Sequence, residues 1–292
     1  MQTTQKPVLR NAQDYIELFR QDKEYFYDSH LLPGLMIGTQ PDPQALKVLG
    51  EALLTDNDDV RDNIIRLLED IGYANYPAYE LRTPEVIALL IGPGFAKMDS
   101  ARANAMDLLR KKASTATLSR YGDVFLKALK EGPEVIDFRL IAKAKPKGAW
   151  EEVDRLSQLP ERKNEEGVRI ARAALGDTKI EDEYIADAKR KEEAGDARGL
   201  ADSLRPLVQI GTRRSLQAVC LRIRSPLFFV IGRVFRYVRL DAVEALMYAF
   251  PEKAEMLNPS KVVYEEDYIR IEKFCMQETG GAYQEFCGRG IL

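Results

Sequence analysis

The chain has 292 residues, 45% of them hydrophobic and 30% charged, and a net charge of -3. Such a composition is ordinary for a soluble protein, and the slight acidity disfavours general nucleic-acid binding. The first residues lack the apolar core of a secretory signal, and the longest apolar run, 226–231, is far too short to span a bilayer.

In chain order, a first helix is expected over 11–27, capped by Asn11 and buried through Tyr15, Ile16, Leu18 and Phe19. The aromatic run Tyr25-Phe26-Tyr27 closes it, either as part of an end cap or as a contact patch. Residues 28–42, with Pro33, Gly34, Gly38 and Pro41, read as a loop. Helix pairs are expected over 42–72 and 83–113. A third, drifted pair covers 118–130 and 133–145, and a fourth begins at Trp150 and ends near Gly176. The charged stretch 178–196 suits an exposed helix with one stripe of Tyr184, Ile185 and Ala188. A fifth pair occupies 197–224 with Gly211 between its helices. Pro226 is expected to open an apolar helix, partnered by one over 240–250, and a last helix covers 264–277. No alternating strand stands out, so the fold class is all-α.

The two pairs 42–72 and 83–113 repeat each other at a spacing of 41 residues. Asp58 matches Asp99, Arg61 matches Arg102, Asn63 matches Asn104, and Leu67-Leu68 match Leu108-Leu109. Upstream, Asp42-Pro43 matches Thr83-Pro84, each a capping residue before Pro at the first helical position. This period and the wording Asp-x-Val-Arg at the start of the second helix resemble the HEAT-repeat (armadillo-like) family. The resemblance is clear over 42–113 and loose over 114–250. It implies one α-α superhelix over 1–292: a cap at 11–27, about five to six stacked pairs over 42–250, and a C-terminal cap and tail at 251–292. It also implies that Arg61 and Arg102 bond an Asp of the preceding turn, with Asp56 or Asp58 suitably placed for Arg61.

Catalytic patterns are scarce. His30 is the lone histidine, and there is neither His-Glu-x-x-His nor Gly-x-Ser-x-Gly. The segment from Gly92 lacks the spacing of a phosphate loop, and Asp56-Asn-Asp-Asp lacks the Gly and Glu that a calcium loop needs at its sixth and twelfth positions. No cofactor or metal is called for. With no signal or membrane span visible, a cytoplasmic location is expected, and Cys220, Cys275 and Cys287, odd in number and scattered, are expected to be reduced thiols.

Two sets of polar residues are candidates for partner binding. Stacked repeats would place Asn63 beside Asn104 and Arg66 beside Asp107, forming an inter-repeat ladder or presenting these groups to a partner. The second set lies in 203–240, which holds eight arginines and no Lys, Asp or Glu, so the rest of the chain carries -11. These arginines either pair with the acidic helices 178–196 and 264–272 or form a basic surface. Arg213, Arg214, Arg222 and Arg224 are the candidates, with Arg213 and Arg214 placed at a helix start where an external anion could compensate them.

The expected function is a non-catalytic protein-binding module, a scaffold or a dedicated inhibitor such as a bacterial immunity protein that masks a toxin. The expected partner is a protein with an acidic patch, nucleic acid suits less well, and no membrane is involved. The alternative is a HEAT-like DNA-binding enzyme of the alkylbase DNA glycosylase type. Those enzymes use aromatic and acidic residues on a basic concave face, whereas this chain has one Trp and an acidic total.

Overall fold

The computed structural model describes residues 9–21, 32, 34–73, 80–81, 83–132 and 136–280. The aromatic run 25–27, His30, Pro133, Glu134, Cys287 and the tail beyond Gly280 lie outside them. The chain is all-α and divides into two compact units, residues 1–113 and 114–292.

The first unit opens with α1 (Ala12–Arg20), whose N-cap Asn11 accepts from the Asp14 amide and whose Tyr15, Ile16, Leu18 and Phe19 are buried. Two two-residue strands, β1 (Met36–Ile37) and β2 (Gln40–Pro41), make a small antiparallel turn inside the expected loop. Then come α2 (Pro43–Thr55) and α3 (Asp58–Tyr73), followed by α4 (Pro84–Ile91) and α5 (Ser100–Lys112). Their starts follow from local chemistry. Asp42 caps α2 ahead of Pro43, Asn57 accepts from the Val60 amide at the head of α3, and Asp99 accepts from the Arg102 amide at the head of α5. Helix α2 packs on α4 and α3 packs on α5, so equivalent helices of the two repeats stack. Leu49, Leu53, Ile64, Leu67, Leu68, Leu90 and Leu109 fill the space between them.

The second unit runs α6 (Thr115–Ser119), α7 (Gly122–Glu131), α8 (Phe138–Ala144), α9 (Ala149–Ser157) and α10 (Glu166–Leu175). Helix α8 starts at Phe138 rather than at 133, because Asp137 is the residue whose side chain caps it. The charged stretch is α11 (Thr178–Glu193), with Ala188 buried and Tyr184 and Ile185 packed against the core. Helices α12 (Ala197–Ile210) and α13 (Arg213–Cys220) meet at Gly211, whose φ of +60° favours a residue without a Cβ. Helix α12 is the hub, touching α8, α10, α11 and α13.

The helix expected from Pro226 is instead a β-hairpin. Strands β3 (Phe228–Ile231) and β4 (Val234–Tyr237) pair antiparallel, with Ile231 opposite Val234. Gly232, at a φ of +61°, opens a two-residue loop that closes the turn. β-Branched and aromatic side chains on both strands favour this pairing over a helix. Helices α14 (Val238–Ala249) and α15 (Glu265–Thr279) complete the unit, with α14 packed on α12 and α15 on α13.

The expectation of reduced thiols is also corrected, since Cys220 of α13 and Cys275 of α15 form a buried disulfide across 55 residues. Both sit at facing core positions, with Cα atoms 5.9 Å apart, within the span that a disulfide bridges. Among the described residues no helix is long and apolar enough to cross a membrane.

Candidate functional site

Most arginines of 203–240 are consumed inside the second unit. Arg213 donates from Nε to the Thr279 carbonyl at the end of α15, where the helix dipole favours a cation. Its guanidinium fills the space at Gly280, whose φ of +61° and lack of a side chain both suit that approach. The compensation expected from an external anion is therefore supplied by a second helix. Arg214 pairs with Glu181 and Asp182 of α11. Arg222 is buried and bonds Glu192 at 2.9 Å and the Ala218 carbonyl at 2.6 Å. Arg224 forks onto Glu272 at 2.7 and 3.0 Å and reaches Glu265 at 2.8 Å. The hydrogen bonds it donates to Glu272 and then Glu265 push its pKa further up, and the same contact holds the Glu265 carboxyl below its usual range. Arg239 stacks over Tyr237 and Tyr268.

The repeat-equivalent set is also tied internally. Asn63 donates to the Asp59 carbonyl at 3.0 Å and Arg66 to Asp62 at 3.3 Å, both within α3. Asp107 pairs with Arg110 and Lys111 on its own helix. Only Asn104 crosses the repeat, and it bonds Asp62 rather than lying against Asn63. The ladder thus has one rung, displaced by one residue. Arg61 does not bond Asp56 or Asp58. It is fully buried and reaches forward to the next repeat, bonding Asp99 at 2.6 Å and the Gly94 carbonyl at 3.4 Å. Asp56 instead takes Arg20 of α1 at 2.8 and 2.9 Å. Burial pushes the Asp99 carboxyl up, but hydrogen bonds from Arg61 and the Arg102 amide outweigh it, and its pKa stays below the usual value.

What is left open lies around the hairpin. Phe228, Val230 and Phe235 share its outward face with Tyr237 and are 49%, 55% and 62% exposed. Phe228 meets Phe235 edge-on at 5.5 Å and Tyr237 at 5.7 Å, so the face is a built aromatic surface rather than a frayed one. Ile231 and Val234, paired at the tip beside the exposed Arg233, belong to the opposite face but are also solvent-exposed. No third strand pairs with β3 or β4 among the described residues.

The inward face carries Phe229 and Arg236. Arg236 latches the hairpin to α14, bonding Asp241 and Glu244 at 2.5 Å each. Beneath it lies a cleft of about 320 Å³ between α12 and α14. Arg198, Asp202 and Arg205 of α12 line one side, and Asp241, Glu244 and Tyr248 of α14 the other. Burial, and then the charges of Glu244 and Asp202, raise the Asp241 carboxyl above its usual range despite Arg236. Arg198, Arg205 and Arg233 make no side-chain hydrogen bond or ion pair among the described residues.

Neither hairpin nor cleft was anticipated as a site. The hairpin had a usable signal in two four-residue β-branched and aromatic runs around Gly232-Arg233. The spacing 198, 202, 205 marks one helical face, but nothing in the sequence says that face is left without partners. Among the described residues no group of three or more His, Cys, Asp or Glu side chains is placed to hold a metal ion. Comparison with protein-family models, curated proteins and solved structures finds no match.

Proposed function

We propose that this chain is a non-catalytic protein-binding module, a scaffold or dedicated inhibitor, that engages its partner through the hairpin of the second unit. The observation that carries the reading is the outward face of Phe228, Val230 and Phe235, left in solvent on a two-stranded sheet. Monomeric proteins seldom expose a contiguous apolar patch without a use, and unpaired strand edges are usually covered or blunted. Covering roughly 100 Å² of each phenylalanine would contribute about 2.5 kcal/mol per ring. A HEAT-like solenoid remains our reading of the repeats, supported by the stacking of α2 on α4 and of α3 on α5. The stacked helices then serve as scaffold, since their candidate polar groups are engaged internally.

The test compares wild type with a Phe228→Ser, Phe235→Ser variant in cross-linking and affinity capture from native extract. A protein partner retained by wild type and lost by the variant, at unchanged helix content, supports the reading. Equal capture by both, or glycosylase activity on alkylated DNA, would overturn it.

A further inference from the structure

We propose that the hairpin and the cleft beneath it receive an extended segment of the partner protein in which acidic and apolar residues alternate, added to the hairpin as a third strand. This rests on the protein-binding reading above and names the chemistry of the partner.

The argument starts from the two faces of the hairpin. Any strand added at its edge continues both faces, because side chains alternate along a strand. On the outward face it meets Phe228, Val230 and Phe235, which calls for apolar side chains. On the inward face it looks toward the cleft, whose lining includes Arg198 and Arg205. These arginines stand seven residues apart on α12, two helical turns or about 10 Å along the axis. Same-face residues of a strand recur about every 6.8 Å, and two long arginine side chains converge readily on carboxylates at that spacing.

The selectivity for acids follows from what each charge already does. Arg236 occupies Asp241 and Glu244, so two of the three carboxylates in the cleft are engaged. Asp202 is the third, flanked by Arg198 and Arg205 on its own helix. Arg213, Arg214, Arg222 and Arg224 all have partners within the unit, whereas Arg198, Arg205 and Arg233 have none among the described residues. Within 198–239 the arginines left unspent therefore gather at the hairpin. Arginine forks suit carboxylates bidentately. Nucleic acid offers anions too, but it has no row of aliphatic side chains to lay beside Val230 and Phe235.

The experiment uses the full chain and a short, end-blocked peptide alternating valine and glutamate, labelled for fluorescence anisotropy. Saturable binding that weakens about tenfold or more in Arg198→Glu, Arg205→Glu, and is lost in Phe228→Ser, Phe235→Ser, is the expected result. The matching valine–lysine peptide should not bind. Both variants alter exposed side chains, and circular dichroism verifies that they fold. No binding of the glutamate peptide, or binding that ignores the arginine changes, overturns the proposal. So does preference for a short oligothymidine or for phosphatidylserine vesicles. Dimerisation in sedimentation that the hairpin changes abolish would assign the surface to a second copy and overturn it equally. If the peptide fails while hairpin-dependent capture of a protein persists, only the acidic chemistry falls; if both fail, the binding reading falls with it.

Discussion

Two regions of this molecule invert the usual distribution of polar and apolar groups, and they do so in opposite directions. In the repeat pair of the first unit a guanidinium, Arg61, sits wholly inside the core. On the hairpin of the second unit Phe228, Val230, Ile231, Val234 and Phe235 stand in solvent. The first inversion is resolved within the chain, since Asp99 meets Arg61 at 2.6 Å and also caps α5. One carboxylate thus fixes the head of a helix and locks consecutive repeats. The second inversion finds no resolution among the described residues. A buried charge with its partner in place is architecture; an apolar face without one is an invitation.

Breaking the resolved side should have the largest effect. Arg61→Ala leaves Asp99 buried without its cation, and losing one member of such a pair costs about 3–5 kcal/mol. Chemical denaturation should show that loss in the first unit. The sign of its pH dependence is set by Asp99. Its folded pKa is lowered, so its contribution is fully present above the unfolded value of about 4 and is lost as pH falls through the folded one. A wild-type midpoint that drops on acidification below about pH 4, with a smaller drop in Asp99→Asn, is the expected pattern.

Next in size is the disulfide. Opening the Cys220–Cys275 link frees a 55-residue separation, and such links stabilise by typically 2–4 kcal/mol. Cys220→Ser should lower the thermal midpoint of the second unit, and thiol titration of the native protein should leave Cys220 and Cys275 unreactive. Arg214→Ala should matter least among the charged changes. Its own side chain and that of Asp182 are more than half exposed, although Glu181 is buried, so solvent screens much of their attraction and the midpoint should barely move.

Much of the helical framework is legible in the sequence because it is local. Asp42-Pro43, Asn57 and Asp99 announce helix starts, Gly211 announces a helix end, and the 41-residue repeat aligns two pairs. The site is not local. The apolar run 227–231 is too short for periodicity to separate helix from strand, and β-branched and aromatic residues around Gly232 were the better guide. An excess of arginine in 203–240 is visible, but which arginines remain free depends on helices far away in sequence. Arg214 and Arg224 look alike in a string of letters to Arg205, yet α11 and α15 consume the first two. Arg198 lies just upstream of the window altogether. The disulfide joins two helices 55 residues apart, a pairing that spacing alone does not specify.

Hydrogen–deuterium exchange on the full chain, alone and with its captured partner, tests the contrast most directly. In the free protein the amides of Phe228–Tyr237 should exchange quickly and those of α3 and α5 slowly. With partner bound, protection should rise across the hairpin and the cleft-facing residues of α12, while α3 and α5 stay unchanged. Protection that appears on α3 and α5 instead, with the hairpin as open as before, would contradict the account.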